Sequence, residues 1–165
     1  MDASAISQII FLIILLIFSA FFSSAETALT TVNKIRMRTL ADDGNKRAER
    51  VLRITDDSHK MLSAILIGNN IVNLSASSLA TTLAIKLWGS VGAGIATGIL
   101  TFLILVFGEI SPKTFATLYA DQISIAYSGI IGFLMKILTP VIFLVNQFSM
   151  GFLFLLHVDP KANNN

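Results

Sequence analysis

Hydrophobic and polar positions in this chain are grouped in long blocks. The first apolar block runs from Ile6 to Phe22 without a charge, and Ser23, Ser24 and Ala25 extend it to Glu26. A second runs from Met61 to about Ile85 and a third from Val91 to about Leu118. Each reaches the roughly 20 residues that a helix needs to cross a hydrocarbon core ~30 Å thick. The pattern predicts an all-α integral membrane protein with three transmembrane helices. Asp56, Asp57 and Ser58 suit the N-terminus of the second helix. Lys86 and Trp88 suit its far interface, where a cation snorkels and an indole rests. The first block could also pass for a signal peptide with a Ser-Ser-Ala cleavage site. That reading wants a basic leader, and the only charge before the block is Asp2, so it is taken as a span.

Between the first two spans, Thr30 to Lys60 is polar and helical in spacing. Leu29, Val32, Ile35 and Leu40 recur on one face, as do Val51, Leu52 and Ile54 after an Asp42-Asp43-Gly44-Asn45 turn. This predicts a helical hairpin. Eight of the twelve Lys and Arg residues lie between Lys34 and Lys60. A nucleic-acid patch could look similar, but short basic loops beside spans stay in the cytoplasm and meet anionic headgroups. The expected topology has the N-terminus outside, the basic loop 30–60 inside, and the third span returning to the cytoplasm near Lys113. No nucleic-acid partner is expected.

The last apolar stretch, Ile123 to His157, is interrupted by Lys136 and Pro140. Hydropathy offers a fourth crossing at Thr139 to Leu156. A broken segment can equally lie along the interface or re-enter it, and the pattern leaves both readings open. Residues 1–158 read as one transmembrane domain and 159–165 as a polar tail.

Composition agrees: 54% of residues are hydrophobic and 13% charged, against about 25% charged in an ordinary soluble domain. With no cysteine and two distant histidines, His59 and His157, thiolate metal sites, disulfides and a zinc site fall away.

Candidate chemistry gathers in three stretches. In Phe107-Gly108-Glu109-Ile110-Ser111-Pro112-Lys113, Glu109 is the one acid inside the third span. A carboxylate at membrane depth costs ~3 kcal/mol or more, so its default reading is functional. Pro112 has no N–H for the Gly108 carbonyl, and its ring pushes that carbonyl aside. The helix should distort there and free a backbone oxygen beside Glu109. The bland alternative is a protonated Glu109 bonded to a neighbouring helix, or paired with Lys113 at i+4, a geometry the kink should weaken. In the second span, Asn70, Asn73 and Ser77 share one helix face at i, i+3 and i+7. They read either as interhelical glue or, beside a carboxylate, as neutral ligands. At the end of the first span, Ser23 and Ser24 offer hydroxyls, and Glu26 sits near the inner interface as a solvated charge or an ion-admitting one. Gly94 and Gly98 form a small-xxx-small pair able to seat another helix.

Carboxylate, amide, hydroxyl and carbonyl oxygens are hard donors, which favours Mg²⁺, Ca²⁺, Mn²⁺ or an alkali ion. An intramembrane hydrolase would need a base beside a serine, and neither histidine lies at membrane depth. The chain does not read as an enzyme.

FFSSAETAL, ILIGNNIVN and FGEISPK, in this order and spacing, resemble the transmembrane domain of the CNNM/CorC magnesium transporters. The resemblance covers nearly the whole chain, including the basic hairpin. It implies Mg²⁺ export driven by inward Na⁺, a homodimer in the plasma membrane, and a C-terminal juxtamembrane or belt helix in place of a fourth crossing. It also implies a cytoplasmic C-terminus with a CBS-pair domain downstream. Carried across, the family's Mg²⁺ site falls on Ser23, Asn70, Asn73, Gly108 and Glu109, with Ser77 beside them and Ser24, Glu26, Pro112 and Lys113 in support. Members often show Ser-x-Ser-Glu where this chain has Ser23-Ser24-Ala25-Glu26, so one hydroxyl is missing and Ser24 is the candidate replacement. A membrane-anchored Mg²⁺ sensor or scaffold is the alternative function.

Overall fold

The computed structural model describes residues 3–157 and is helical from end to end; the polar tail expected at 159–165 lies outside the described residues. Three helices are long and apolar enough to cross a membrane. The first, α1 (Ala3–Thr31), runs past Glu26, and its 29 residues span about 43 Å at ~1.5 Å per residue. It exceeds the hydrocarbon thickness, so its last turns carry polar residues. The basic hairpin follows as α2 (Lys34–Asp42) and α3 (Lys46–Asp56). The second long helix is α4 (Ser58–Trp88). The third span is continuous from Ser90 to Leu118 but is built in three parts: α5 (Ser90–Leu103), a π segment (Ile104–Ile110) and α6 (Ser111–Leu118). Then come α7 (Ala120–Ile137) and α8 (Thr139–Leu155).

The hairpin forms for local reasons. Asn33 accepts from the Arg36 N–H at 3.1 Å, and Asn45 accepts from the N–H groups of Arg47 and Ala48 at 3.0 and 3.2 Å. Each amide satisfies donors that a helix start leaves free. Gly44, at φ +96°, makes the turn between them in a conformation that favours glycine. Asp57, by contrast, forms no side-chain cap for α4. A single glycine also joins the second and third spans: Gly89 takes φ +77° and donates to the Ile85 carbonyl at 2.8 Å.

The main core lies at the hairpin end. Phe22, Leu29 and Val32 near the end of α1 meet Met37, Val51, Ile54, Met61, Ile65 and Ile131 from α2, α3, α4 and α7. Here the expected face of α2 is corrected: Ile35 is 77% exposed, and Met37, at 0%, is the residue that packs inward. Asp121 ties the N-terminus of α7 to the hairpin. Its carboxylate accepts from the Asn33 N–H at 3.0 Å and pairs with Arg36 at 3.2 Å. The Phe21 and Tyr127 rings meet at 4.7 Å.

A 65° bend separates α7 from α8, between Lys136 and Pro140, where the apolar pattern is interrupted. α7 packs along α3 and α1 and α8 lies against α4 and α7, with Ile142 its one buried residue. The expected role of Gly94 and Gly98 is not seen within this chain, since neither has an atom within 4 Å of where a Cβ would lie. It is Gly92 that makes a close approach, to the Ala84 carbonyl.

Asp121→Ala is expected to remove about 1 kcal/mol and to loosen the hairpin more than the spans. Hydrogen exchange should show faster exchange in α2 and the start of α7, with the middle of α1 and α4 unchanged.

Candidate ion-binding site

Three helices meet at the middle of α1. Ser19 and Ser23 are one turn apart on that helix, so they project from the same side, and both are buried. On α4, which packs against α1, Asn69 and Asn73 have the same spacing. The Ser19 hydroxyl donates to Asn73 Oδ1 at 2.8 Å. The π segment closes the third side. A Cβ on Gly108 would lie 2.8 Å from Ser19 Oγ, so any side chain there would displace the Ser19 hydroxyl. One turn nearer the hairpin, a Cβ on Gly68 would lie 2.5 Å from the tip of the Phe22 ring, which would have to shift.

Beside this junction, two oxygens have no partner. Ser23 is 0% exposed, and its Oγ makes no hydrogen bond; Asn69 Oδ1 is likewise buried and unpaired. A buried polar atom left unsatisfied costs about 1–3 kcal/mol. Two such acceptors, each one turn from the Ser19–Asn73 bond, make a place where a cation would be stabilised. Ser24 Oγ instead donates to the Phe21 carbonyl of its own helix at 2.9 Å. Its lone pairs remain free to accept or ligate.

The distortion expected at Pro112 is present. Residues 104–110 form a π segment, and the Ser111 N–H donates to the Val106 carbonyl five residues back. Proline at the start of α6 has no N–H for Gly108 and clashes with its carbonyl. The wider π turn accommodates both, and such turns are frequent at functional sites. Glu109 lies in that turn with its side chain 27% exposed, and Lys113 Nζ stands 3.6 Å from Glu109 Oε2. The i,i+4 pair therefore forms, at a separation longer than a hydrogen bond. A cavity of 580 Å³ lies beside the π segment, lined by Phe18, Phe21, Ser24, Phe107 and Pro112 among others.

The residues singled out from sequence divide into groups. Asn73 and Gly108 both meet Ser19 at the α1–α4–π junction, Ser23 is buried one turn further along α1, and Glu109 follows Gly108 in the chain. Ser77 is half-buried one turn further along α4, Glu26 is half-buried toward the hairpin, and Asn70 is exposed. The row of α4 that faces α1 contains Asn69, Asn73, Ala76 and Ala80. Asn69 and Ser19 are thus the members that the sequence reading missed. The i,i+4 pairing of small hydroxyls at Ser19 and Ser23, matched by Asn69 and Asn73, was the available signal. Among the described residues no three His, Cys, Asp or Glu side chains cluster. The donors on these three elements are one carboxylate, Glu109, and the neutral oxygens of Ser23, Asn69 and Asn73, types that suit a hard cation.

The family described as the cyclin M (CNNM) transmembrane N-terminal domain matches residues 10–165. A UPF0053 protein of Haemophilus influenzae is 45% identical over 150 residues, covering 90% of this chain and 36% of its own length. A UPF0053 inner membrane protein of Escherichia coli is 41% identical over 131 residues, covering 79% of this chain and 31% of its own. A more distant relative, the polyamine export protein of Haemophilus influenzae, is 24% identical over 164 residues, covering 92% of this chain and 38% of its own. The chain thus spans about a third of the length of these relatives. With the family match running through all three apolar helices, this multi-pass membrane protein belongs to the CNNM transmembrane-domain family.

Proposed function

We propose that this protein exports Mg²⁺ across the plasma membrane in exchange for inward Na⁺. The N-terminus is outside and the basic hairpin and C-terminus are cytoplasmic. The observation that carries the reading is a lone carboxylate, Glu109, in a π-distorted span, next to a helix junction that holds two buried, unpaired oxygens. Anionic and neutral hard oxygens at one depth suit a small divalent ion better than a soft metal. The cytoplasmic placement of the hairpin is supported by its concentration of Lys and Arg. The homodimer implied by the family resemblance is part of the same proposal.

In the proposed cycle, Glu109 supplies the charge. The Gly108 carbonyl, which Pro112 cannot satisfy, supplies a backbone oxygen. Ser23 and Asn69 supply acceptors that nothing else uses, and Asn73 joins when it leaves Ser19. Asn70 and Ser77 are the reserve on α4, reached by a rotation of that helix. Lys113 acts as a tethered counter-ion: its ammonium neutralises Glu109 while the cargo is absent and is displaced when a cation binds. Na⁺ competes for some of the same oxygens, so release of one ion is linked to binding of the other.

One relative favours a second cargo. The more distant Haemophilus influenzae relative is a polyamine export protein, and Glu109 here already pairs with an ammonium group, that of Lys113. A polyamine would present the same chemistry. Flux in proteoliposomes separates the readings: Mg²⁺ efflux supports the proposal, spermidine efflux alone supports the second cargo, and Mg²⁺ binding without flux supports a membrane-anchored sensor.

Glu109→Ala is expected to fold and to lose the rise in thermal midpoint that Mg²⁺ gives the wild type; an undiminished rise would rule Glu109 out. Lys113→Met removes the competing ammonium. The Mg²⁺ concentration for half-maximal stabilisation should then fall, by up to about fivefold for an ion pair of ordinary strength.

A further inference from the structure

We propose that Ser19 is a positioning residue that withholds one ligand, the Asn73 oxygen, until the cargo ion arrives. The inference rests on the ion-binding reading given above and goes beyond it, because Ser19 lies outside the ligand set carried over from the family.

The Ser19 hydroxyl is buried at the point where α1, α4 and the π segment converge. It donates to Asn73 Oδ1 at 2.8 Å, which is the atom a cation would need. One turn toward the hairpin on the same two helices, Ser23 and Asn69 again offer a hydroxyl and an amide oxygen, but Ser23 Oγ and Asn69 Oδ1 are both unpaired. The oxygens nearer the hairpin are therefore free, and the Asn73 oxygen beyond them is held. Gly108 explains why the latch holds. The Ser19 Oγ fills the space where any side chain at position 108 would begin, 2.8 Å from its Cβ, so the hydroxyl is packed against the π segment as well as bonded to α4. Movement of the π segment on ion binding at Glu109 frees Ser19 to turn and Asn73 to ligate. The π turn thus connects ion capture at Glu109 to the completion of the shell on α4. The rival role for Ser19 and Asn73 is an interhelical hydrogen bond of purely structural use, and the two roles predict different outcomes.

The test is the Mg²⁺ dependence of the thermal midpoint of the purified protein in detergent. A latch competes with the ion for Asn73, so Ser19→Ala should lower the half-maximal Mg²⁺ concentration, roughly two- to tenfold for one hydrogen bond. Ser19→Cys, close in size and a weak donor, should shift it the same way and reads the effect if alanine impairs folding. In an Asn73→Ala background, where nothing is withheld, Ser19→Ala should leave the Mg²⁺ concentration unchanged. A structural role would lower the midpoint without Mg²⁺ and leave the Mg²⁺ concentration where it was, which overturns the latch. A raised Mg²⁺ requirement in both Ser19 variants also overturns it, by making Ser19 a ligand. A wild type with no response to Mg²⁺ would overturn the ion reading itself, and the latch with it.

Discussion

The structure depends on solving one problem: polar atoms must be carried through a segment that cannot leave them bare. In hydrocarbon, a backbone or side-chain polar group must find its partner within the protein. Helices there also gain little from hydrophobic contact, so they associate through close packing and hydrogen bonds. At Gly108 both requirements are met together. The absence of a side chain lets the third span press against Ser19, and Ser19 reaches across to Asn73. The next residue, Glu109, lies in the same π segment, where Lys113 balances its carboxylate. The oxygens of Ser23 and Asn69 are left without partners, and on the proposed function they are the ones a cargo ion would use.

The opposite end of α1 is built by different rules. The hairpin end has a core of Leu29, Met37, Val51, Ile65 and Ile131, and capped short helices with an ion pair around it. This is the construction of a soluble domain. α1 runs through both regions, with Phe22 belonging to the hairpin core and Ser23 to the junction. The two regions therefore meet within one helix, at adjacent residues.

Much of this was legible in the sequence, and the reasons differ from element to element. The spans were readable because crossing lipid imposes a length that few other structures need. Glu109 and Pro112 marked the distorted turn because each is costly in a membrane helix for a reason that requires no neighbour. The hairpin followed from the helical spacing on either side of the Asp42-Asp43-Gly44-Asn45 turn. Helical phase was less accessible. Asn70, Asn73 and Ser77 share a face as well as Asn69 and Asn73 do, and only the partner helix decides which face turns inward. Met37 in place of Ile35 is an error of the same kind. The pairing of Ser19 with Asn73 lies across 54 residues, and no local pattern encodes it.

The claim at the centre of this account is that a hard cation binds among Glu109, the Gly108 carbonyl and the oxygens of α1 and α4. Anomalous diffraction from crystals grown with Mn²⁺, a hard divalent probe, tests it most directly. The account predicts a peak within ligand distance of Glu109 and of at least one of Ser23, Asn69 or Asn73. Peaks confined to the acids of the hairpin, Asp42, Asp43, Asp56 and Asp57, with none at Glu109, would contradict it.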